Sequence, residues 1–298
     1  QISLAIFWLM AFSSATHDIA ADGFYMLGLE EHQQAAFVGV RSTFYRLAMI
    51  AGQGGLVFLA GYLTHATGNV QLAWSVVFAI LAGLFIALFL YHYFVLPKPK
   101  EDRPSIQDAG VSPLQEFIAT FAAFFKKKDI FVILGFLLLF RLGEAQLLKL
   151  AAPFLLDPVA KGGLGLSTEQ VGLVYGTIGV IALTLGGLLG GFIISRFGLK
   201  RCLWIMVLSV HLPDLVFVYL ASALPSSIYV IAGGIALEQF GYGFGFASYM
   251  LYMIMVSDGA HKTAHYAICT GFMALGMMLP GMASGWIQQM LGYQHFFI

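Results

Sequence analysis

Asp18 and Asp22 stand one helical turn apart within residues 2–27, a stretch otherwise apolar except for small hydroxyls and His17. If that stretch crosses a bilayer, each charge there costs about 2.5 to 3.5 kcal/mol. Two carboxylates on one helix face therefore need a role, whether carrying a proton, holding a cation or pairing with a base. A second set, Arg141, Glu144, Gln146 and Lys149, lies within 130–156, with the first two three residues apart. Glu238 is the single acid of 227–256 and is followed by Gly241, Gly243 and Gly245, while His211, Pro213 and Asp214 fall within 201–223.

Several chemistries fit these residues. The turn after the first run is centred near His32, so Asp18 and Arg46 lie fourteen residues to either side of it. In antiparallel neighbours they share a depth of roughly 15 Å. Asp22 and Arg41 match in the same way nearer the turn. Such pairs are either static packing devices or part of a transport path in which one aspartate carries a proton. His17 serves as a relay beside Asp18 or as a neutral imidazole making one hydrogen bond.

The other groups are read the same way. Arg141 and Glu144 at i,i+3 can neutralise each other. Lys149 either meets an anionic substrate group or snorkels outward. The glycines after Glu238 permit close packing or an irregular backbone beside a site. Asp214 is expected to serve polar groups near the Pro213 kink. His261 and His265 lack a third ligand and read as a solvated helix start, so no metal site is expected. Cys202 and Cys269 fall in separate runs and read as packing residues. An enzyme reading also exists, in which Asp18 and Asp22 hold magnesium and a diphosphate headgroup. It needs a second Asp-rich motif, and only single acids follow.

The elements that position these groups are membrane helices. Hydrophobic residues make up 59% of the chain and charged residues 10%, with mean hydropathy +0.85, more than a soluble core accommodates. Apolar runs long enough to cross about 30 Å of hydrocarbon cover 2–27, 34–63, 71–96, 130–156, 168–194, 201–223, 227–256 and 263–291. The expected fold is an all-α membrane bundle of about eight transmembrane helices.

Basic residues orient it. Lys98, Lys100, Arg103 and Lys126 to Lys128 share one side with Arg196, Lys200, Arg201 and Lys262, whereas the opposite loops hold only Lys161. The basic side is cytoplasmic by the positive-inside rule. Residues 97–128 form a polar linker ending in Leu114, Phe117, Ile118, Phe121 and Phe125 at helical spacing, as in a helix lying on the membrane surface. Gln1 stands inside an apolar run and another run begins at Phe296, so the chain reads as part of a longer protein.

Two sets of motifs carry a resemblance. Gly191, Arg196, Gly198, Lys200 and Arg201 resemble the Gly-x-x-x-Asp-Arg-x-Gly-Arg-Arg loop of the major facilitator superfamily, with Ser195 in place of its acidic residue. The segment from Ala15 to Phe24 resembles the Ala-Thr-Gln-Asp-Ile-x-x-Asp-Ala-Tyr segment of the AmpG-type muropeptide permeases, a family similar to the acetyl-coenzyme A transporters. The segments Tyr45 to Met49, Phe140 to Glu144 with Pro153 and Phe154, Glu238 with Phe240 and Gly243, and Thr263 to Ala267 resemble later blocks of the same family. His17 and His265 stand where glutamines are common.

The resemblance implies helices four to eleven of twelve. Residues 1–96 would be the last three helices of the first six-helix half. Residues 97–128 would be the cytoplasmic linker, and 129–298 five helices of the second half with the start of a sixth. It further implies a monomeric, multi-pass protein of the bacterial inner membrane that imports anhydromuropeptides for peptidoglycan recycling by proton symport. No cofactor and no nucleic acid would be involved. Proton coupling would fall to Asp18, Asp22, Glu144 and Glu238, and substrate binding to His17, Arg46, Arg141, Gln146 and Lys149. These charges would converge on one cavity between the halves. A related permease for acetyl-coenzyme A, a sugar or a peptide is the alternative.

Overall fold

The computed structural model describes residues 2–97 and 112–298. The Pro-interrupted first part of the linker, with Lys98, Lys100 and Arg103, lies outside the described residues. Every regular element among them is helical: α1 (Ile2–Gly28), α2 (Glu31–Met49), α3 (Val57–Thr67), α4 (Val70–Val95), α5 (Pro113–Phe125), α6 (Ile130–Leu139), α7 (Leu142–Leu156), α8 (Thr168–Val171), α9 (Val180–Phe197), α10 (Leu199–Ala223), α11 (Ile228–Val256) and α12 (Lys262–Phe296). π-helical turns fill Ile50–Leu56 and Gly172–Gly179. Helix is the form that satisfies the backbone within its own segment, which hydrocarbon demands.

Six helical stretches among the described residues are long and apolar enough to span a bilayer: Leu4–Gly28, Val70–Val95, Ile130–Leu156, Gly172–Phe197, Leu199–Ala223 and Lys262–Phe296. The other two runs are less uniform. Residues 34–63 divide into α2, the π-helical turns and α3, where Gly52, Gly54 and Gly55 weaken the regular ladder. α11 has 29 residues, enough for about 43 Å, but Glu238, Gln239 and its glycines dilute its apolar character. α12 loses helical backbone at Gly292 (φ 73°, ψ 166°), close to where the apolar run is expected to stop.

The chain forms two compact units. Arg41–Arg103 holds the end of α2, α3 and α4. There, α3 and α4 meet at a tight turn: Gly68 adopts φ 67° and donates to the Thr64 carbonyl at 2.9 Å, while the Asn69 side chain accepts from Leu72 N–H at 3.0 Å.

The described residues of Gln1–Val40 and Pro104–Ile298 form the second unit, centred on α11 between α9 and α10, with α12 packed on α6 and α7. Glycines set these separations. A β-carbon at Gly186 would lie 2.1 Å from the Phe240 carbonyl oxygen, and one at Gly243 2.1 Å from that of Leu183, so α9 and α11 touch backbone to backbone.

Its core has two apolar layers. One holds Leu137, Phe140, Met206, Val210, Tyr249 and Met253, the other Phe154, Leu155, Phe217, Leu220, Ile231 and Ile235. Glu144 of α7, His211 and Asp214 of α10 and Glu238 and Gln239 of α11 fall between them.

Candidate functional site

That intermediate layer contains Arg141, Glu144, His211, Asp214, Glu238, Gln239 and Tyr242. One carboxylate oxygen from each of Glu144, Asp214 and Glu238 lies within 4.8 Å of the other two. Glu144 is 3% exposed, Glu238 1% and Arg141 8%. Glu144 stands twelve residues before the end of α7, Asp214 nine before the end of α10 and Glu238 ten after the start of α11. At 1.5 Å per residue all three sit roughly 14 to 18 Å from the same end of the bundle, near mid-membrane depth.

A helix break builds one side of the site. The span Ile130–Leu156 leaves helical geometry at Arg141 (φ −105°, ψ 16°), which separates α6 from α7. In an unbroken helix the Leu137 carbonyl would accept from Arg141 N–H. Here it accepts the Tyr249 hydroxyl at 2.6 Å, and the Tyr249 and Phe140 rings stack at 4.6 Å. The break turns Arg141 onto α11. Its guanidinium donates to the Tyr242 hydroxyl and lies 5.5 Å from the Tyr242 ring centre and 5.0 Å from that of Phe246. Its Nε has no hydrogen-bond partner among the described residues.

The other sides come from α10 and α11. Gln239 donates to Glu238 at 2.9 Å, and His211 Nδ1 stands 3.9 Å from Asp214 Oδ2. A β-carbon at Gly241 would lie 2.2 Å from the Ser209 carbonyl oxygen, and one at Gly245 2.3 Å from that of Met206. The glycines after Glu238 therefore serve close packing within a continuous helix. Gly241 and Gly245 press α11 onto α10 one and two turns past Glu238, and Gly243 presses it onto α9.

Three carboxylates offer hard oxygen donors, but calcium takes six to eight oxygens and magnesium six. The nearby guanidinium also opposes a divalent cation. A proton shared among the acids suits this donor set better.

Of the residues singled out from sequence, Glu144 and Glu238 come together, and Arg141 reaches α11 at Tyr242, four residues past Glu238. Asp214, expected to serve only the Pro213 kink, joins them, and Tyr242 was not singled out at all. The depth of Asp214 in its run matched that of Glu144 and Glu238, and Tyr242 lies one turn from Glu238; those were the available signals. Gln146 is half-buried on α7. Lys149 is exposed, its stem 3.2 Å from a β-carbon built at Gly281 on α12.

Asp18 and His17 are exposed on α1, Asp22 is half-buried, and both aspartates lie outside the three-carboxylate group. Next to Asp22, Gly23 meets Thr263 of α12, with a built β-carbon 3.0 Å from the Thr263 methyl. The side chain of Arg46 lies outside the described residues.

In the loop motif Gly198 adopts φ 79° between α9 and α10, and a β-carbon at Gly191 would lie 2.8 Å from the Ala35 carbonyl oxygen. Arg196, Lys200 and Arg201 are exposed. His265 is buried rather than solvated: its Nε2 lies 3.3 Å from the Thr120 carbonyl oxygen of α5 and its ring packs on Phe124.

Comparison of the sequence with known proteins points to a family. The chain is 27% identical to an uncharacterised protein of Haemophilus influenzae, over 97% of this chain and 66% of that protein. It is 24% identical to the anhydromuropeptide permease of Escherichia coli, over 97% of this chain and 55% of the permease. It is 26% identical to putative transporter AmpG 4 of Rickettsia conorii, over 100% and 70%. The chain thus spans between about half and 70% of the length of these relatives. Residues 4–210 match the sequence profile of the Major Facilitator Superfamily, and the chain, a multi-pass helical membrane protein, belongs to that superfamily of transporters.

Proposed function

We propose that this chain is the greater part of a proton-coupled secondary transporter that imports anhydromuropeptides across the bacterial inner membrane for cell-wall recycling. The similarity to an anhydromuropeptide permease supports the substrate. The buried layer of Arg141, Glu144, Asp214 and Glu238 is the observation that carries the coupling. Two ionised carboxylates 4.8 Å apart repel by about 3.5 kcal/mol at an effective dielectric constant near 20. Cationic neighbours relieve part of this repulsion. One bound proton relieves the remainder and makes the layer a seat for the coupling ion.

Alternating access then opens this layer to one side of the membrane at a time. A proton drawn in by a field of 100 mV supplies about 2.3 kcal/mol, enough for about fiftyfold accumulation. Stem-peptide carboxylates of the substrate would be met by Arg141 and Lys149, and its amides by Gln146. Asp18 and Asp22 on α1 would form a second acidic station. The protein acts as a carrier, without covalent chemistry or cofactor.

The test is uptake of radiolabelled anhydromuropeptide into proteoliposomes holding the full-length protein under an imposed pH gradient. Uptake that is abolished by a protonophore and by Glu238→Gln supports the reading. Uptake that is indifferent to the gradient removes proton coupling. Transport of acetyl-coenzyme A, a free sugar or a peptide in place of the muropeptide reassigns the substrate.

A further inference from the structure

The helix α5 has two faces about 100° apart. One is docked: Thr120 and Phe124 are buried, Phe124 packs on His265 and Phe272, and the Thr120 carbonyl meets His265 Nε2. Beyond the helix end, Lys127 Nζ donates to the Asp258 carbonyl at 2.7 Å. These contacts fasten α5 to the start of α12 and the turn before it.

The other face carries Leu114, Phe117, Ile118, Phe121 and Phe125, all exposed, Leu114 at 66% and Phe117 at 60%. A Ser112–Gln115 capping box fixes the start of the helix, so the stripe is presented in one register.

The chain itself says what covers this stripe. Phe125 ends α5, Lys126, Lys127 and Lys128 follow, and the membrane span begins at Ile130. Four residues cannot carry α5 away from the bilayer surface, so its C-terminal end stays at headgroup level. Lys126 and Lys128 are exposed there. Aromatic side chains facing the acyl boundary beside lysines at the headgroups are the composition of a helix that binds an anionic surface.

We propose that α5 is a docking surface for anionic phospholipid, seating its five apolar side chains in the leaflet while Lys126 and Lys128 engage headgroup phosphates. Each lysine near an anionic surface strengthens binding by about fivefold, so two of them enrich anionic lipid around α5 severalfold. The contacts with His265 and Asp258 pass that lipid dependence to α12.

The test places an environment-sensitive fluorophore at Phe117→Cys in the full-length protein carrying Cys202→Ser and Cys269→Ser, in nanodiscs of phosphatidylcholine with a fixed share of phosphatidylglycerol. Bromine is placed on the acyl chains of one lipid or the other. The label should be quenched, more by brominated phosphatidylglycerol than by an equal amount of brominated phosphatidylcholine, by at least about fivefold. Lys126→Gln with Lys128→Gln should bring that ratio to about one while quenching by phosphatidylcholine persists. Leu114→Cys, on the same face, should repeat the result, and Ala119→Cys, off the face, should be quenched less. Absence of quenching by both lipids would mean that protein covers the stripe. An equal response to both lipids, or a ratio unmoved by the lysine substitutions, would refute the anionic preference.

Discussion

Gly241→Ala tests whether backbone contact between α10 and α11 holds the carboxylate layer together. The new β-carbon would start 2.2 Å from the Ser209 carbonyl oxygen and 2.7 Å from Pro213 Cγ. A carbon–oxygen contact of about 3.3 Å is the close end of what structures tolerate, so the helices must part by roughly 1 Å. The obstacle is backbone and a proline ring, neither of which can swing aside. Overpacking of this kind costs about 1 to 3 kcal/mol, set against about 0.5 to 1 kcal/mol of better helix propensity for alanine.

The control lies on the same helix. A β-carbon at Gly233 meets nothing within 4 Å, so Gly233→Ala keeps only the propensity gain and should be neutral or stabilising. Thermal unfolding of the detergent-solubilised protein should separate the two variants, with Gly241→Ala lower by about 2 °C for each kcal/mol lost. Because the separation falls one turn from Glu238 and beside Asp214, gradient-driven uptake by Gly241→Ala should fall even at temperatures where it stays folded. Identical stability and uptake for the two alanine variants would show that the glycine contact neither stabilises the bundle nor positions the acids.

Asp214→Asn removes one charge from the layer; gradient-driven uptake should drop by about tenfold or more while substrate counterflow at equal pH persists, and loss of both would make Asp214 a packing residue. Asp18→Asn and Asp22→Asn should each reduce gradient-driven uptake at unchanged expression, and wild-type rates for both would leave coupling to the buried layer alone. Tyr249→Phe strips the Leu137 carbonyl of its donor at the α6–α7 break and should destabilise the protein by about 1 to 3 kcal/mol, read as a lower unfolding temperature; an unchanged midpoint would mean that another donor takes over.

The ends of the helices were legible because hydrocarbon leaves an apolar run few options. The run 201–223 becomes Leu199–Ala223, 227–256 becomes Ile228–Val256, and 263–291 becomes a helix whose backbone breaks at Gly292. What happens inside a run was less legible. The π-helical turns at Ile50–Leu56 and Gly172–Gly179 and the break at Arg141 leave hydropathy nearly unchanged, since they alter which carbonyl each N–H meets rather than which side chains are apolar. The break depends on a tertiary contact: Tyr249, more than a hundred residues away in sequence, supplies the donor that the interrupted ladder requires. A local reading of residues 130–156 could anticipate Arg141 as a charged residue but not as a non-helical one.

The acids show how far burial cost alone can take a reading. It marks Asp18, Asp22, Glu144, Asp214 and Glu238 equally, because each lies in an apolar run. What separates them is the surroundings. Asp18 is exposed on α1, whereas Glu144 and Glu238 are sealed between two apolar layers with Asp214 at their edge. A carboxylate packed with two like charges must change protonation, partner or packing whenever its neighbours move. Under the proposed coupling, the buried layer is therefore the better place to tie a proton to helix motion. Burial cost alone does not supply that distinction. The same distinction explains why neutralising Asp214 should uncouple transport while leaving exchange, a separation that substitutions at Asp18 are not expected to reproduce.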